Sequence, residues 1–308
     1  MSPGKLTRRR FINLSTALGV SAILPVSLQN KIKATTTCQS PDIYVVRSVD
    51  YYKATIEAVN GLGGIKKFVS TGAKVGLLIN GNFSNEGTFT NPDISLAVLK
   101  MCYDAGAKEV MLLRADREDI WKKSMYYDSH KELLDKTTRS KGNKIFPVTK
   151  GKVLKEAEMI QEIHDLTALI NIPILKHHDT AFLTCCLKNS MGLCTRATNV
   201  FFHSSSGKPP TDNDRLAHCI ADINTVRIPD LTIVDSTVFI TNNGPHGPGE
   251  LQKEHKVLAG TDPVALDAYC AELLGYEEGQ VLSTHYANEL KLGESILSNI
   301  IIEEKILA

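Results

Sequence analysis

Lys176, His177, His178 and Asp179 stand where an apolar run, Leu166 to Leu175, breaks off. Alternate side chains of a strand share a face, so Lys176 and His178 point one way and His177 the other. Two neighbouring cations repel unless an anion lies between them. Histidine titrates near neutral pH, which suits acid/base work. Asp179 reads as a helix N-cap, its carboxylate accepting the free N–H groups of a first turn. Beyond it Thr180, Thr184 and Lys188 recur every fourth residue, on one face of the expected helix. Lysines, histidines and hydroxyls thereby converge at the carboxyl end of a strand, where open α/β sheets bind ligands. The chemistry suits an anion or a metal–anion pair. His178, Lys176 and Lys188 are the candidate catalytic set. His177, on the opposite face, reads as structural.

Other residues join this set as candidates. His218 and Asp222 are four apart and share a helix face, a spacing that supplies two metal ligands or an orienting pair. A helix-surface hydrogen bond explains that spacing equally well. Asp235 ends a buried run, Leu231 to Asp235, ahead of a glycine-proline loop, Asn242 to Gly249, that contains His246. His218, Asp222, Asp235 and His246 are the candidate metal ligands. Asn82, Thr184, Asn189 and Asp262 are candidate ligand-binding residues, although Asp262 is most simply an N-cap ahead of Pro263. Adjacent Cys185 and Cys186 read as small buried apolar residues.

These residues need a scaffold. Lys74 to Asn80 is a buried-strand pattern, Asn91-Pro92 starts a helix to about Asp104, Gly106 stops it, and Glu109 to Arg114 is the next strand. Strand, helix and strand with short joints make a βαβ unit. Gly61-Leu62-Gly63-Gly64 follows a helical pattern and lacks the G-x-G-x-x-G spacing, so it reads as a helix stop. Residues 116–145 are expected as surface helices, Glu156 to His164 as a helix, and Asn199 to Phe202 as a short strand. Asp212 or Asn213 caps a helix reaching Val226. The fold class is α/β, with a mostly parallel central sheet and helices on both faces. It forms a single α/β domain over residues 40–308, behind a leader over residues 1–34.

The 308 residues are 43% hydrophobic, ample for a large core. A formal charge of +1 gives no ground for nucleic-acid binding. In the leader, Thr7-Arg8-Arg9-Arg10-Phe11-Ile12 precedes an uncharged apolar run, Leu14 to Leu28. That resembles a twin-arginine (Tat) export signal, which a receptor reads. The Tat machinery is therefore an expected partner, with a periplasmic or extracytoplasmic destination; an uncleaved membrane anchor is the alternative. Cleavage near Ala34 removes six basic residues and no acidic ones, taking the charge from +1 to −5. Seven cysteines include no C-x-x-C pair, so no ferredoxin-type Fe–S cluster and no zinc ribbon is expected.

Four blocks resemble the "domain of unknown function 362" family. They are the loop with Asn82 followed by Thr90-Asn91-Pro92; Pro173-Ile174-Leu175-Lys176-x-His178 with Thr184 and Lys188-Asn189-x-x-Gly192; Asp222-Ile223-Asn224 through Pro229-Asp230-Leu231-x-Ile233-Val234-Asp235; and Asn243-Gly244-Pro245 with Gly260-Thr261-Asp262-Pro263-Val264-Ala265-Leu266-Asp267. The family often has Lys before the first-loop asparagine, where this chain has Asn80. Some relatives carry a ferredoxin module, whose cysteines are missing here. A more distant likeness, to the first domain of nickel-pincer lactate racemases, assigns no residue. The family's activity is not settled. Three readings stay open: an exported enzyme acting on an anionic small molecule, with a divalent metal as a candidate cofactor; a binding or assembly protein; and a set of caps and turns.

Overall fold

The computed structural model describes residues 40–114, 117–204 and 211–307. The leader and its export signal lie outside the described residues. In chain order the first half runs β1 (Ile43–Arg47), α1 (Tyr51–Gly61), β2 (Lys74–Ile79), α2 (Pro92–Asp104), β3 (Glu109–Leu112), α3 (Glu118–Trp121), α4 (Tyr127–Asp135), β4 (Thr138–Arg139), β5 (Asn143–Pro147), β6 (Glu156–Ile160) and β7 (Ala168–Ile172). The second half continues with β8 (Lys176–His178), β9 (Phe182–Thr184), α5 (Cys186–Asn189), α6 (Arg196–His203), α7 (Asn213–Asn224), β10 (Leu231–Ile240), β11 (Leu251–Gly260), α8 (Pro263–Leu273), α9 (Leu282–Glu289) and β12 (Ile302–Ile306).

Eight strands form the central sheet, in the order β12-β1-β11-β10-β7-β2-β3-β4. Neighbours run parallel except around β11, which is antiparallel to both β1 and β10. Alternation along each strand sends side chains to two cores. Val75, Leu77 and Ile79 of β2 and Ala168, Ile170 and Ile172 of β7 pack with α1 and α2 residues on one face. Leu78 and Leu169 face the other way, against α7 residues Leu216, Cys219 and Ile220. Further along that second face, Val45, Val234 and Leu258 meet Leu266 and Cys270 of α8. The sheet is thus mostly parallel with helices on both faces, as the sequence predicts.

Local chemistry sets the helix starts. Asn91 accepts from the Asp93 amide at 2.9 Å with Pro92 at the first position, and Asp262 accepts from the Val264 and Ala265 amides at 2.8 and 2.9 Å. Gly63 and Gly64, with φ of 102° and 87°, end α1 as the glycine run implies.

Of residues 116–145, expected as surface helices, the helices end at Asp135 and β4 and β5 follow. Three further local expectations fail. Glu156 to Ile160 is a strand, paired antiparallel with β5, because alternate Ala157 and Met159 are buried there. Asn199 to Phe202 is helical, inside α6, where the Thr195 side chain caps the Thr198 amide. The third failure bears on the site. Asp179 is no N-cap: β8 turns at Asp179 and returns as β9, with Lys176 opposite Thr184 and His178 opposite Phe182. The helix starts later, at Cys186. Its cap comes from α8, where Asp267 accepts from the Cys186 and Leu187 amides at 2.6 and 3.1 Å.

Candidate functional site

A cavity of about 410 Å³ opens at the carboxyl ends of β2, β3 and β7. Among its lining residues are Lys176, His178, Thr184, Lys188, Asn189, Asn82 and His246. Thr180, Thr184 and Lys188 do meet at one place, but through a hairpin and a short helix. Lys176 and His178 lie on the buried face of β8, whereas His177 is only half-buried and its Nδ1 receives the Gly244 amide at 3.2 Å. That contact docks the glycine-proline loop, and with it His246, against the hairpin.

Lys176 is 1% exposed. Its Nζ donates to the Thr88 carbonyl at 2.6 Å and lies 4.6 Å from the Phe83 ring centre. Burial pulls its pKa down to about 7, with repulsion from Lys188 adding to the fall. Lys188 keeps some surface toward the cavity, yet protein encloses it closely enough that desolvation lowers its pKa to about 8, against a partial offset from Asp179. His178 is pushed down to about 2, by burial first and then by Lys188, His203, Lys176 and His177. It is therefore neutral. The amides of Thr180 and Ala181 both approach its Nδ1 at 3.2 Å. Backbone N–H groups are obligatory donors, so Nδ1 is the acceptor and Nε2 carries the proton. Exposed Asp179, 3.0 Å from that Nδ1, is thereby a neighbour and not a salt-bridge partner.

Asn189 organises the floor. Its amide nitrogen donates to Leu78 O at 3.1 Å and Asn171 Oδ1 at 2.7 Å, and its oxygen receives Asn80 Nδ2 at 3.1 Å. Three buried oxygens on lining residues have no partner: Asn80 Oδ1, Thr184 Oγ1 and Asn199 Oδ1. Buried polar atoms are normally satisfied, so unfilled acceptors grouped in one cavity point to a ligand or water there.

Several lining residues escaped the sequence reading. Arg114, just past β3, donates to Asn82 Oδ1 at 3.4 Å and to Gly192 O at 3.2 Å. Its place at the end of the Glu109–Arg114 run was the available signal. Asn80 was noted only as a departure from a family pattern. Asn199 and His203 reach the cavity because α6 is a helix, and Phe83 because its loop folds back to touch His246, with ring centres 4.5 Å apart.

The four candidate metal ligands do not come together. Asp222 receives the Lys152, Val153 and Leu154 amides at 2.8, 2.7 and 2.8 Å, which occupies both oxygens in holding a loop. His218 stacks on Tyr286 at 3.7 Å. Asp235, within β10, accepts from the Asn91 amide at the start of α2 and from the amide and hydroxyl of Thr237 two residues on. Only His246 lines the cavity. Asp262 is likewise a cap, receiving the Glu294 amide at 2.8 Å besides its own first turn, and is not among the lining residues. Among the described residues the one converging set of potential metal ligands is Cys185, Cys186 and Asp267.

A mostly parallel sheet with helices on both faces and polar loops beyond its strand ends defines an α/β protein. The chain belongs to the family described as "Domain of unknown function (DUF362)", whose model matches residues 74–272. It is 24% identical over 243 residues to the thylakoid-associated protein sll1697 of Synechocystis sp., covering 75% of this chain and 74% of that protein. Among solved structures it is similar to the lactate racemase apoprotein from Thermoanaerobacterium thermosaccharolyticum, with a TM-score of 0.45 and 11% identity. That match covers 71% of this chain and 54% of the racemase chain.

Proposed function

We propose that this protein binds a small anionic molecule in the cavity between β8, α5 and the loops after β2 and β3. One observation carries the reading: two enclosed lysines, Lys176 and Lys188, face the cavity together with Arg114, and among the described residues the only carboxylate lining it, Asp179, is exposed. Buried cations without a counter-charge are costly, and an anion between them removes the cost. The ligand also brings hydrogen-bond donors, which the Asn80 and Asn199 oxygens lack. The Nε2–H of neutral His178 orients it.

Between enzyme and binder, the chemistry favours Lys176 as the acid/base group over His178. A group titrating near 7 exchanges protons at neutral pH, and one near 2 does not. The leader is read as a Tat export signal, so the protein works outside the cytoplasm. Replacing Arg8 and Arg9 together by Lys is expected to retain the precursor in the cytoplasm; unchanged export sinks that part.

The test of binding is calorimetric titration with a panel of small hydroxycarboxylates and phosphates at pH 6.5. At least one is expected to bind one-to-one, and the K176A/H178A/K188A variant is expected to lose it. Binding that survives the triple substitution places the site elsewhere.

A further inference from the structure

Behind the pocket hairpin lies a second gathering of donor atoms. Cys185 and Cys186 are fully buried, and their sulfurs are 3.5 Å apart. A disulfide needs about 2.05 Å, and both are free thiols. Asp267 of α8 brings a carboxylate oxygen to within 4.8 Å of both sulfurs. Cys270 follows Asp267 by three residues on α8, on the same helix face, and is buried in the same cluster as Cys185 and Cys186. All four residues sit among Leu183, Val234, Leu266 and other apolar neighbours.

Packing explains buried cysteines, which behave as small apolar groups. It does not explain two adjacent thiols converging on one buried carboxylate. The amides of Cys186 and Leu187 satisfy part of Asp267, yet a carboxylate has about four lone-pair sites, and each oxygen keeps capacity. We propose that Cys185, Cys186 and Asp267 form a binding site for a thiophilic divalent cation of the zinc class, with Cys270 packed beside it. Sulfur donors select such ions. Two donors about 2.3 Å from a tetrahedral centre lie about 3.8 Å apart, close to the spacing of the two sulfurs here. On binding, each ligating thiol releases its proton to solvent and donates a sulfur electron pair; no electron is transferred. The three donors are buried away from solvent, so the ion's role is structural.

The ion ties α8 to the segment that carries Thr184, Lys188 and Asn189. That consequence rests on the proposed anion site, whereas the ion site itself stands on the cysteine cluster alone. The test is a Co²⁺ titration of the full chain, reduced and metal-stripped, read by sulfur-to-cobalt charge-transfer absorption and reversed by Zn²⁺. One cobalt per chain is expected, with binding weakening as pH falls because protons compete for the sulfurs. The C185S/C186S variant is expected to lose the absorption, and C270S to bind roughly 10-fold or more weakly. C102S, a buried cysteine on α2, serves as control and is expected to bind as wild type. If the wild-type chain takes up no cobalt, or C185S/C186S retains the same spectrum, the proposal is overturned. The absorption does not depend on any anion, so its failure leaves the pocket reading standing.

Discussion

Lys176 donates its ammonium to the Thr88 carbonyl at 2.6 Å from a position that is 1% exposed. One neutral acceptor and one aromatic face do not replace the lost hydration of an ammonium. The residue is thus held at a cost that loss of its proton relieves, or, on the proposed reading, a bound anion. Lys176→Met keeps most of the stem and removes the charge. Thermal denaturation is expected to show equal or greater stability. Calorimetry is expected to show anion binding weaker by at least about 10-fold, or about 1.4 kcal/mol. A destabilised variant that binds normally would mean that Lys176 is structural.

The two lysines set a pH dependence. Both titrate lower in the folded chain than in an unfolded one, Lys176 at about 7 and Lys188 at about 8. Between those values and the usual lysine range, the unfolded chain holds more protons, so ligand-free stability rises with pH across that window. Anion binding runs the other way, since it needs both ammoniums charged. Affinity is expected to be greatest below about pH 7 and to fall through pH 7–8, with proton uptake on binding near neutrality. Titrations in buffers of different ionisation enthalpy measure that uptake; no uptake would contradict the pairing of anion and lysine.

Asn189 joins the ends of two adjacent strands, β2 and β7, through one side chain. Asn189→Ala leaves Leu78 O, Asn171 Oδ1 and Asn80 Nδ2 without their partner. Each stranded buried group costs about 1–3 kcal/mol, and water entering from the cavity recovers part of it. Urea denaturation is expected to show a net loss of about 2–4 kcal/mol. A loss below about 1 kcal/mol would show that the floor is already solvated.

Asp222 separates a cap from a metal ligand. Asp222→Ala strands three amide donors in residues 152–154, so a loss of about 3 kcal/mol or more is expected by denaturant titration. Cobalt uptake and anion affinity of the folded variant are expected to be unchanged. Loss of a bound metal on this substitution would restore the metal role that the geometry argues against.

The scaffold was more legible than the site's connections, for a physical reason. Strand and helix starts follow from period and capping chemistry within a few residues, as at Asn91-Pro92 and Asp262-Pro263. Partners distant in sequence leave no local mark. Asp179 has the right type and place for a cap, but the amides after Cys185 are taken by Asp267, 81 residues from Cys186. The four-residue spacing of Thr180, Thr184 and Lys188 fits both a helix face and a hairpin running into a helix, and pattern alone does not choose. Glu156 to Ile160 carries apolar residues at both helical and strand spacing, and only the presence of β5 decides. Arg114 and His203 enter the site by where their elements end, which no single stretch reveals.

Gly244 tests whether the pocket needs its glycine-proline wall. A side chain there would put Cβ 1.8 Å from the His177 carbonyl oxygen, against backbone that cannot swing away. The close approach lets the Gly244 amide reach His177 Nδ1 at 3.2 Å and its carbonyl accept the Asp179 amide at 3.3 Å. Gly244→Ala therefore forces the 242–249 loop off the hairpin, carrying Pro245 and His246 away from the cavity. The sheet and both cores are remote from that clash, so the fold is expected to survive with a small drop in thermal midpoint. Anion affinity is expected to fall by roughly 10-fold or more, since a wall displaced by an ångström loses alignment with the ligand. The comparison that decides is with His246→Ala, which removes a side chain but keeps the loop seated. If Gly244→Ala binds as well as wild type while His246→Ala does not, the histidine alone matters and the loop's seating does not.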